Sequence, residues 1–192
     1  MAEKDRLKWN RKYREKPKLL QPRPAAPMVE KWFSHAEGDY ALDLACGSGK
    51  NSLFLAKEGF RIDAVDISEV ALSHLEKVSS SNHIRVIQTD LDTFTPVANR
   101  YDLIVMTNYL DRALIVRTIQ ALKAGGLFIV ETYMEDERNE KKGSNPEFLL
   151  KKEELLTLFD TAAFTLLEYR EFWHEPHELY RMRKEAICAR KR

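Results

Sequence analysis

The stretch Tyr40–Ser68, YALDLACGSGKNSLFLAKEGFRIDAVDIS, constrains this chain more than any other. An apolar run carries Asp43 near its end and breaks into Cys46-Gly47-Ser48-Gly49. A helical pattern follows and stops at Gly59, and a second apolar run ends at Asp66. This order reads as strand, tight loop, helix, strand, the opening unit of a parallel α/β sheet. Glycines in such a loop let the backbone bend sharply and let a ligand approach without a Cβ in the way. The free N–H groups at the start of the helix favour an anionic group.

The alternation continues along the chain. Strands are expected at YALDLA, RIDAVDI, IRVIQTD, YDLIVMTN and GLFIVETY. Between them lie helical patterns, among them SEVALSHLEKVSS with Ser68 as N-cap. The pattern DRALIVRTIQALKAG predicts one helix running to Gly125-Gly126. The last third breaks this alternation. It holds a polar loop MEDERNEKKGSNP, a helix KKEELLTLFDTA, and strands FTLLEYREFW and RKEAICARKR with no helix between them. The expected fold class is α/β, a Rossmann-like doubly wound, mostly parallel seven-stranded sheet with an antiparallel C-terminal edge hairpin. Before it, DRLKWNRKYREK reads as a short helix with Trp9 and Tyr13 on one face. The proline-rich PKLLQPRPAAP is an extended connector, and MVEKWFSHA a further helix. Residues 1–27 form an N-terminal helix and connector, a lid, over a single domain of residues 28–192.

Composition excludes several classes. With 192 residues, 44% hydrophobic and 32% charged, the chain is an ordinary globular one and not a disordered one. A net charge of +1 gives no global field for nucleic acid. The basic residues are nonetheless concentrated at the ends, nine Lys/Arg within residues 1–23 and six within the last twelve. Solvated faces account for most such runs, and nucleic acid binding through these termini is the alternative. No apolar run reaches the ~18 residues of a membrane helix, and the charged start is unlike a secretory signal, so no membrane partner is expected. Cys46 and Cys188 make no metal-ligand spacing, and a reducing cytoplasm is the natural setting. Oligomeric state is not legible.

The loop selects its ligand by charge. A dinucleotide fingerprint needs a small third residue, where this chain has Ser52, and Asp43 would lie close to the pyrophosphate. A ligand with a cationic group and no phosphate fits better, and S-adenosylmethionine (SAM) is such a ligand. Asp66 can accept both ribose hydroxyls, and Asp90 ends the third strand where a purine would extend.

At this point the residues resemble a known family. ALDLACGSGKNSLFLA, followed by DAVDIS and VIQTDLDTF, is similar to class I SAM-dependent methyltransferases, above all the small bacterial tellurite-resistance-type group. The likeness includes a D-L-x-C-G-x-G-x-N-S loop from Asp43 to Ser52 and a W-N-x-x-Y helix at Trp9, Asn10 and Tyr13. The resemblance implies that Asp43, Ala45, Cys46, Gly47, Gly49 and Asn51 form the cofactor loop, with Asp43 anchoring the methionine ammonium. It implies that Asp66 takes the ribose, that Ile67 packs on the adenine, and that Asp90 and Leu91 address the adenine edge. Thr107 and Asn108 would lie beside the sulfonium, and Trp9 and Tyr13 would lid the cofactor. Two departures stand out. Ala45 replaces a common glycine, for which a slightly tighter loop is expected, and NYLDRAL replaces a more apolar segment.

Methyl transfer from a sulfonium needs alignment and exclusion of water, and a general base is optional. No catalytic constellation is therefore assigned. Asn108, Tyr109, Asp111 and Tyr133 are the pocket candidates. For Asp111 and Tyr109 the competing readings are helix capping and core packing. His174 and His177 are candidates for a base or a substrate contact, and Pro176 argues against a metal site there. Cys46 reads as a loop contact and not as a nucleophile. A small-molecule acceptor is the leading expectation. An RNA or protein substrate, a non-catalytic SAM-binding module and a nicotinamide dehydrogenase are the alternatives. Substrate identity is expected to lie in residues 1–30, 108–112 and 133–147.

Overall fold

A computed structural model describes residues 2–79, 82–173 and 179–192. The elements run α1 (Ala2–Glu15), α2 (Pro27–Trp32), β1 (Tyr40–Leu44), α3 (Lys50–Lys57), β2 (Arg61–Asp66), α4 (Glu69–Val78), β3 (Ile84–Gln88), β4 (Tyr101–Thr107), α5 (Arg112–Thr118), β5 (Leu122–Tyr133), α6 (Glu154–Leu158), β6 (Phe164–Trp173) and β7 (Arg183–Lys191). Short 3-10 turns link several of them. The seven strands among the described residues form one sheet in the order β3-β2-β1-β4-β5-β7-β6. Strands β1 to β5 pair in parallel, and β7 lies antiparallel to both β5 and β6. The chain reverses its direction of travel between β1 and β4, which places a crevice at their carboxyl ends.

Alternate residues of the central strands feed two cores, as a sheet covered on both faces requires. Leu42, Ile104, Met106, Phe128 and Val130 pack with Leu114, Ile115, Leu155 and Phe159 on one side. Ala41, Leu103, Val105, Leu127 and Ile129 pack with Met28, Val29, Leu55 and Leu75 on the other. No helix among the described residues is long and apolar enough to cross a membrane.

Three expected helices differ in extent. The one predicted over 111–125 ends at Thr118 and turns through a 3-10 segment, and β5 already begins at Leu122. The Thr118 hydroxyl donates back to the carbonyls of Leu114 and Ile115, at 2.9 and 3.0 Å, which competes with helix propagation. Gly125-Gly126 therefore lies within β5, near the register shift at Tyr101/Leu103, and does not cap a helix. The helix expected over 151–162 shrinks to Glu154–Leu158. Glu153 takes a left-handed backbone, φ 61, and the buried carboxylate of Glu185 on β7 accepts from the N–H groups of Glu153 and Leu155, so the start of α6 is set by a tertiary contact. The helix expected over 28–36 gives way to a 3-10 turn at Phe33.

Arg112 explains the departure in NYLDRAL. Its guanidinium pairs with Glu154 and donates to the carbonyls of Glu147 and Leu149. It ties α5 to the segment ahead of α6. The C-terminal cations are also engaged: Arg190 donates to the carbonyls of Gly125 and His35, and Lys191 to those of Ile119 and Leu122.

Candidate cofactor site

The loop between β1 and α3 is built from left-handed residues. Ala45, Gly47 and Gly49 have φ of 54, 55 and 83. Ala45 thus occupies a conformation that disfavours a side chain, which corrects the expectation of a merely tighter loop. Gly49 is obligatory on two counts. Its φ is positive, and a Cβ there would collide with Leu75 Cδ1 in the core. Gly49→Ala is expected to lower stability by about 2 kcal/mol, from backbone strain and overpacking together; urea unfolding with an unchanged m-value checks it.

Asp43 lies beneath this loop at 1% exposure. Its Oδ2 accepts from the Ser52 hydroxyl at 2.6 Å, while Oδ1 is buried with no partner. Burial pushes the carboxyl up to about 6, against the lowering effect of Ser52. This role of Ser52 is not evident from the sequence, where its one sign is its oddness at the third fingerprint position. Cys46 is buried, and its thiol is pushed up by burial and by Asp43 and Asp66, so it is a loop residue and not a thiolate.

Asp66 ends β2 facing the loop. Its Oδ2 accepts from Gly47 N–H and its Oδ1 from Ser68 N–H, both at 2.8 Å. Burial raises its carboxyl, and these two N–H groups oppose the rise. Ile67 is half-buried next to it. Asp90 lies two residues beyond β3, where its Oδ1 accepts from Asp92 N–H at 3.0 Å. Leu91 packs its side chain into the core at 5% exposure, and its carbonyl accepts from Arg117 at 2.8 Å.

The N-terminal segment crosses this loop. Ser68 Oγ donates to Asn10 Oδ1 at 2.8 Å while capping α4 through Ala71 N–H. Arg6 pairs with Glu69 at 2.7 Å. The Tyr13 hydroxyl stands 2.6 Å from where a Gly47 Cβ would be. Ser48 Oγ donates to Leu19 carbonyl at 3.0 Å, and Ala26 N–H to Asn51 Oδ1 at 3.0 Å. Asn51 Nδ2 in turn donates to Thr107 Oγ1 at 2.9 Å. Trp9 stacks beside Tyr13, with ring centroids 6.1 Å apart. The docking contacts of Asn10 and Arg6 are not evident from sequence spacing, although Asn10 lies within the W-N-x-x-Y pattern.

The pocket candidates divide. Thr107 ends β4 at the crevice and Asn108 follows it; Asn108 has φ 58, donates its N–H to Glu131 carbonyl at 2.8 Å, and leaves Oδ1 buried without a partner. Tyr133 on β5 has the Lys184 ammonium 5.0 Å from its ring centre. Asp111 is the N-cap of α5, accepting from Leu114 N–H at 2.9 Å, so capping is its observed contact. Tyr109 packs against the core, its hydroxyl pushed up by burial and then by Asp111 and Asp92. Both border a shallow cavity of about 280 Å³ with Arg112 and Phe148. His174, Glu175, His177 and Glu178 lie outside the described residues.

The site's chemistry fits a SAM-sized ligand. An unpartnered buried carboxylate oxygen on Asp43 suits an ammonium, and Asp66 retains lone pairs for hydroxyls. Comparisons with known proteins agree. The model of the family described as Tellurite resistance protein TehB matches residues 33–182. The crystal structure of TehB from Haemophilus influenzae superposes with a TM-score of 0.74 at 21% identity, covering 96% of this chain and 67% of that one. A SAM-dependent methyltransferase from Mesorhizobium loti gives 0.69 at 19% identity, covering 86% and 96%. These two likenesses show the fold. A Bacillus subtilis (strain 168) protein described as a methyltransferase, YqeM, is 40% identical over 87 residues, 42% of this chain and 35% of its own length. The matched part spans about a third of that relative.

Proposed function

We propose, from the premise that this chain belongs to the TehB tellurite-resistance family of class I SAM-dependent methyltransferases, that it moves the methyl group of SAM to a small, soft nucleophile such as a thiol or a chalcogen oxyanion. When bound, SAM supplies an electrophilic methyl on a sulfonium. The chain's own residues bind and orient it and exclude water. The observation that best supports a small acceptor is the N-terminal segment docked over the glycine loop. With Asn10 on Ser68 and Tyr13 against Gly47, residues 1–27 act as a lid under which a polynucleotide or a folded protein surface has no room. A reducing cytoplasm is the setting proposed, and both cysteines are free and buried.

Calorimetric titration with S-adenosylhomocysteine alongside NAD tests the cofactor. Micromolar affinity for the first and none for the second is expected. Binding of neither would point to a structural or partner-dependent role, and binding without turnover of any small acceptor to a sensing module.

The affinity has a predicted pH dependence. Free Asp43 titrates near pH 6, raised from 3.8. A methionine ammonium beside it favours the ionised form, so below pH 6 binding must release a proton. S-adenosylhomocysteine affinity is expected to be flat above about pH 7 and to fall up to ~10-fold per pH unit below 6. Asp43→Asn should weaken binding and flatten the profile between pH 5 and 7.

A further inference from the structure

One face of α1 carries three residues that reach toward the cofactor loop. Arg6, Asn10 and Tyr13 recur at the four- and three-residue spacing of a helix face. Arg6 Nη1 donates to Glu69 Oε2 at 2.7 Å, Asn10 meets Ser68, and the Tyr13 hydroxyl stands against Gly47. Asn10 is the unusual member. It lies inside a helix made mostly of charged residues, and it is 1% exposed. An amide buried to this degree is destabilising unless its polar atoms find partners. Its Oδ1 accepts from Ser68 Oγ at 2.8 Å and from Val70 N–H at 3.4 Å.

Ser68 is the N-cap of α4, and this cap is built from two segments of chain. Its hydroxyl accepts from Ala71 N–H at 3.3 Å while donating to Asn10. A serine hydroxyl has one proton and two lone pairs and turns about its C–O bond. Donating the proton to Asn10 turns a lone pair toward Ala71. Val70 N–H, another free donor of the first turn, goes to Asn10. α1 thus completes a cap 58 residues along the chain.

The same serine faces the cofactor site through its main chain. Ser68 N–H donates to Asp66 Oδ1, and Asp66 Oδ2 accepts from Gly47 N–H, both at 2.8 Å. Ser68 is fully buried, with the extended backbone of an N-cap, φ −87 and ψ 108. Holding the cap fixes the direction of that N–H, and with it the plane of the Asp66 carboxylate. The series Asn10, Ser68, Asp66, Gly47 begins on the lid and ends in the glycine loop. Arg6 also holds α1 to α4, but its partners are Glu3 and Glu69, outside this series.

We infer that Asn10 is a positioning residue for the cofactor ribose: docking of α1 completes the α4 cap, and the completed cap aims the Asp66 carboxylate at the ribose hydroxyls. The inference rests on the methyltransferase reading above and on Asp66 as the ribose acceptor. With α1 lifted, the buried Ser68 hydroxyl loses its acceptor and the cap loosens. Asp66 then holds the hydroxyls less well. The coupling is reciprocal, so hydroxyls that hold Asp66 in place also favour the docked lid.

The test compares S-adenosylhomocysteine with its 2′,3′-dideoxy analogue, which lacks both ribose hydroxyls, by calorimetry. Wild type is expected to prefer the first by at least about 100-fold, two hydrogen bonds to a charged group. In Asn10→Ala the preference should shrink to about 10-fold. Asn10→Asp, which keeps an acceptor for the Ser68 hydroxyl, should restore most of it. Arg6→Ala, which loosens the lid without touching Ser68, should weaken both ligands alike and leave the preference at its wild-type value. An unchanged preference in Asn10→Ala, whatever the drop in the two affinities, makes Asn10 a residue that only holds the lid and overturns the inference alone. A wild type that binds both ligands equally overturns the ribose assignment of Asp66 and the inference with it. A wild type that binds neither overturns the methyltransferase reading as well. Should Asn10→Ala fail to fold, amide hydrogen exchange on the wild type decides. At equal saturation, S-adenosylhomocysteine is expected to protect the amides of α1 more than the dideoxy analogue does, and equal protection overturns the coupling.

Discussion

Replacing Asp66 by alanine is expected to abolish S-adenosylhomocysteine binding in the micromolar range, a loss of at least about 100-fold. A carboxylate has about four lone-pair positions. Two of them accept from the N–H groups of Gly47 and Ser68, and the remaining ones point where a ribose would lie at the carboxyl edge of β2. Alanine removes the ribose contacts and also the clamp that shapes the loop. Hydrogen bonds to a charged group contribute roughly 1.5–3 kcal/mol each, so two ribose bonds alone account for the factor. Asp66→Asn separates the two effects. It keeps the volume but presents an NH2 group toward one of two N–H donors, so it should also raise the cost of ordering the loop. Calorimetry gives the affinity, and thermal unfolding without ligand shows how much of the loss is a disturbed loop. An Asp66→Ala protein that binds normally would remove the ribose assignment.

Much of this site is legible in the sequence because its residues act through local backbone geometry. The glycine loop, the strand-end aspartates at Asp43 and Asp66 and the Ser68 cap follow from spacing within a few residues of one turn. What escapes are contacts across long separations. Asn10 meets Ser68 only because α1 folds back onto α4. Glu131 meets Lys184 only because β7 inserts antiparallel between β5 and β6. The α5 boundary is misread for a different reason. The apolar spacing of 114–122 suits a helix, but Thr118 turns its hydroxyl on the helix carbonyls and Leu122 is claimed by the sheet. The packing of Leu91 against the core is likewise set by tertiary contacts and not by its place after Asp90.

Asp63→Asn is expected to cost about 2 kcal/mol of stability, the size of losing hydrogen bonds to a charged group, and to lower Tm by about 6 °C for a chain of this size, while leaving cofactor affinity near wild type. Asp63 is 1% exposed, three residues before Asp66 on the same strand. Arg85 donates to both its oxygens at 2.8 and 2.7 Å, and the hydroxyls of Tyr101 and Tyr40 donate as well. Burial alone would raise this carboxyl, but the Arg85 and tyrosine hydrogen bonds outweigh it and hold it below 3.8. A depressed folded-state value means that its stabilisation is fully present above the unfolded value and is lost as pH falls through the folded one. The Tm gap between wild type and Asp63→Asn should therefore be constant from pH 8 to 5 and close in acid below about pH 4. Asp43, one strand away, behaves with the opposite sign. Its raised value means that ionising it costs stability as pH climbs from 3.8 toward 6. The difference lies in the partners. Asp63 has its charge compensated by the protein's own arginine and tyrosines, whereas Asp43 has one hydroxyl and an unpartnered oxygen. A buried carboxylate completed from within is part of the scaffold, and one left incomplete at the carboxyl edge of the sheet is placed to be completed by a ligand. An Asp63→Asn protein with an unchanged Tm would show that the arginine and tyrosine partners had been resolvated at no cost.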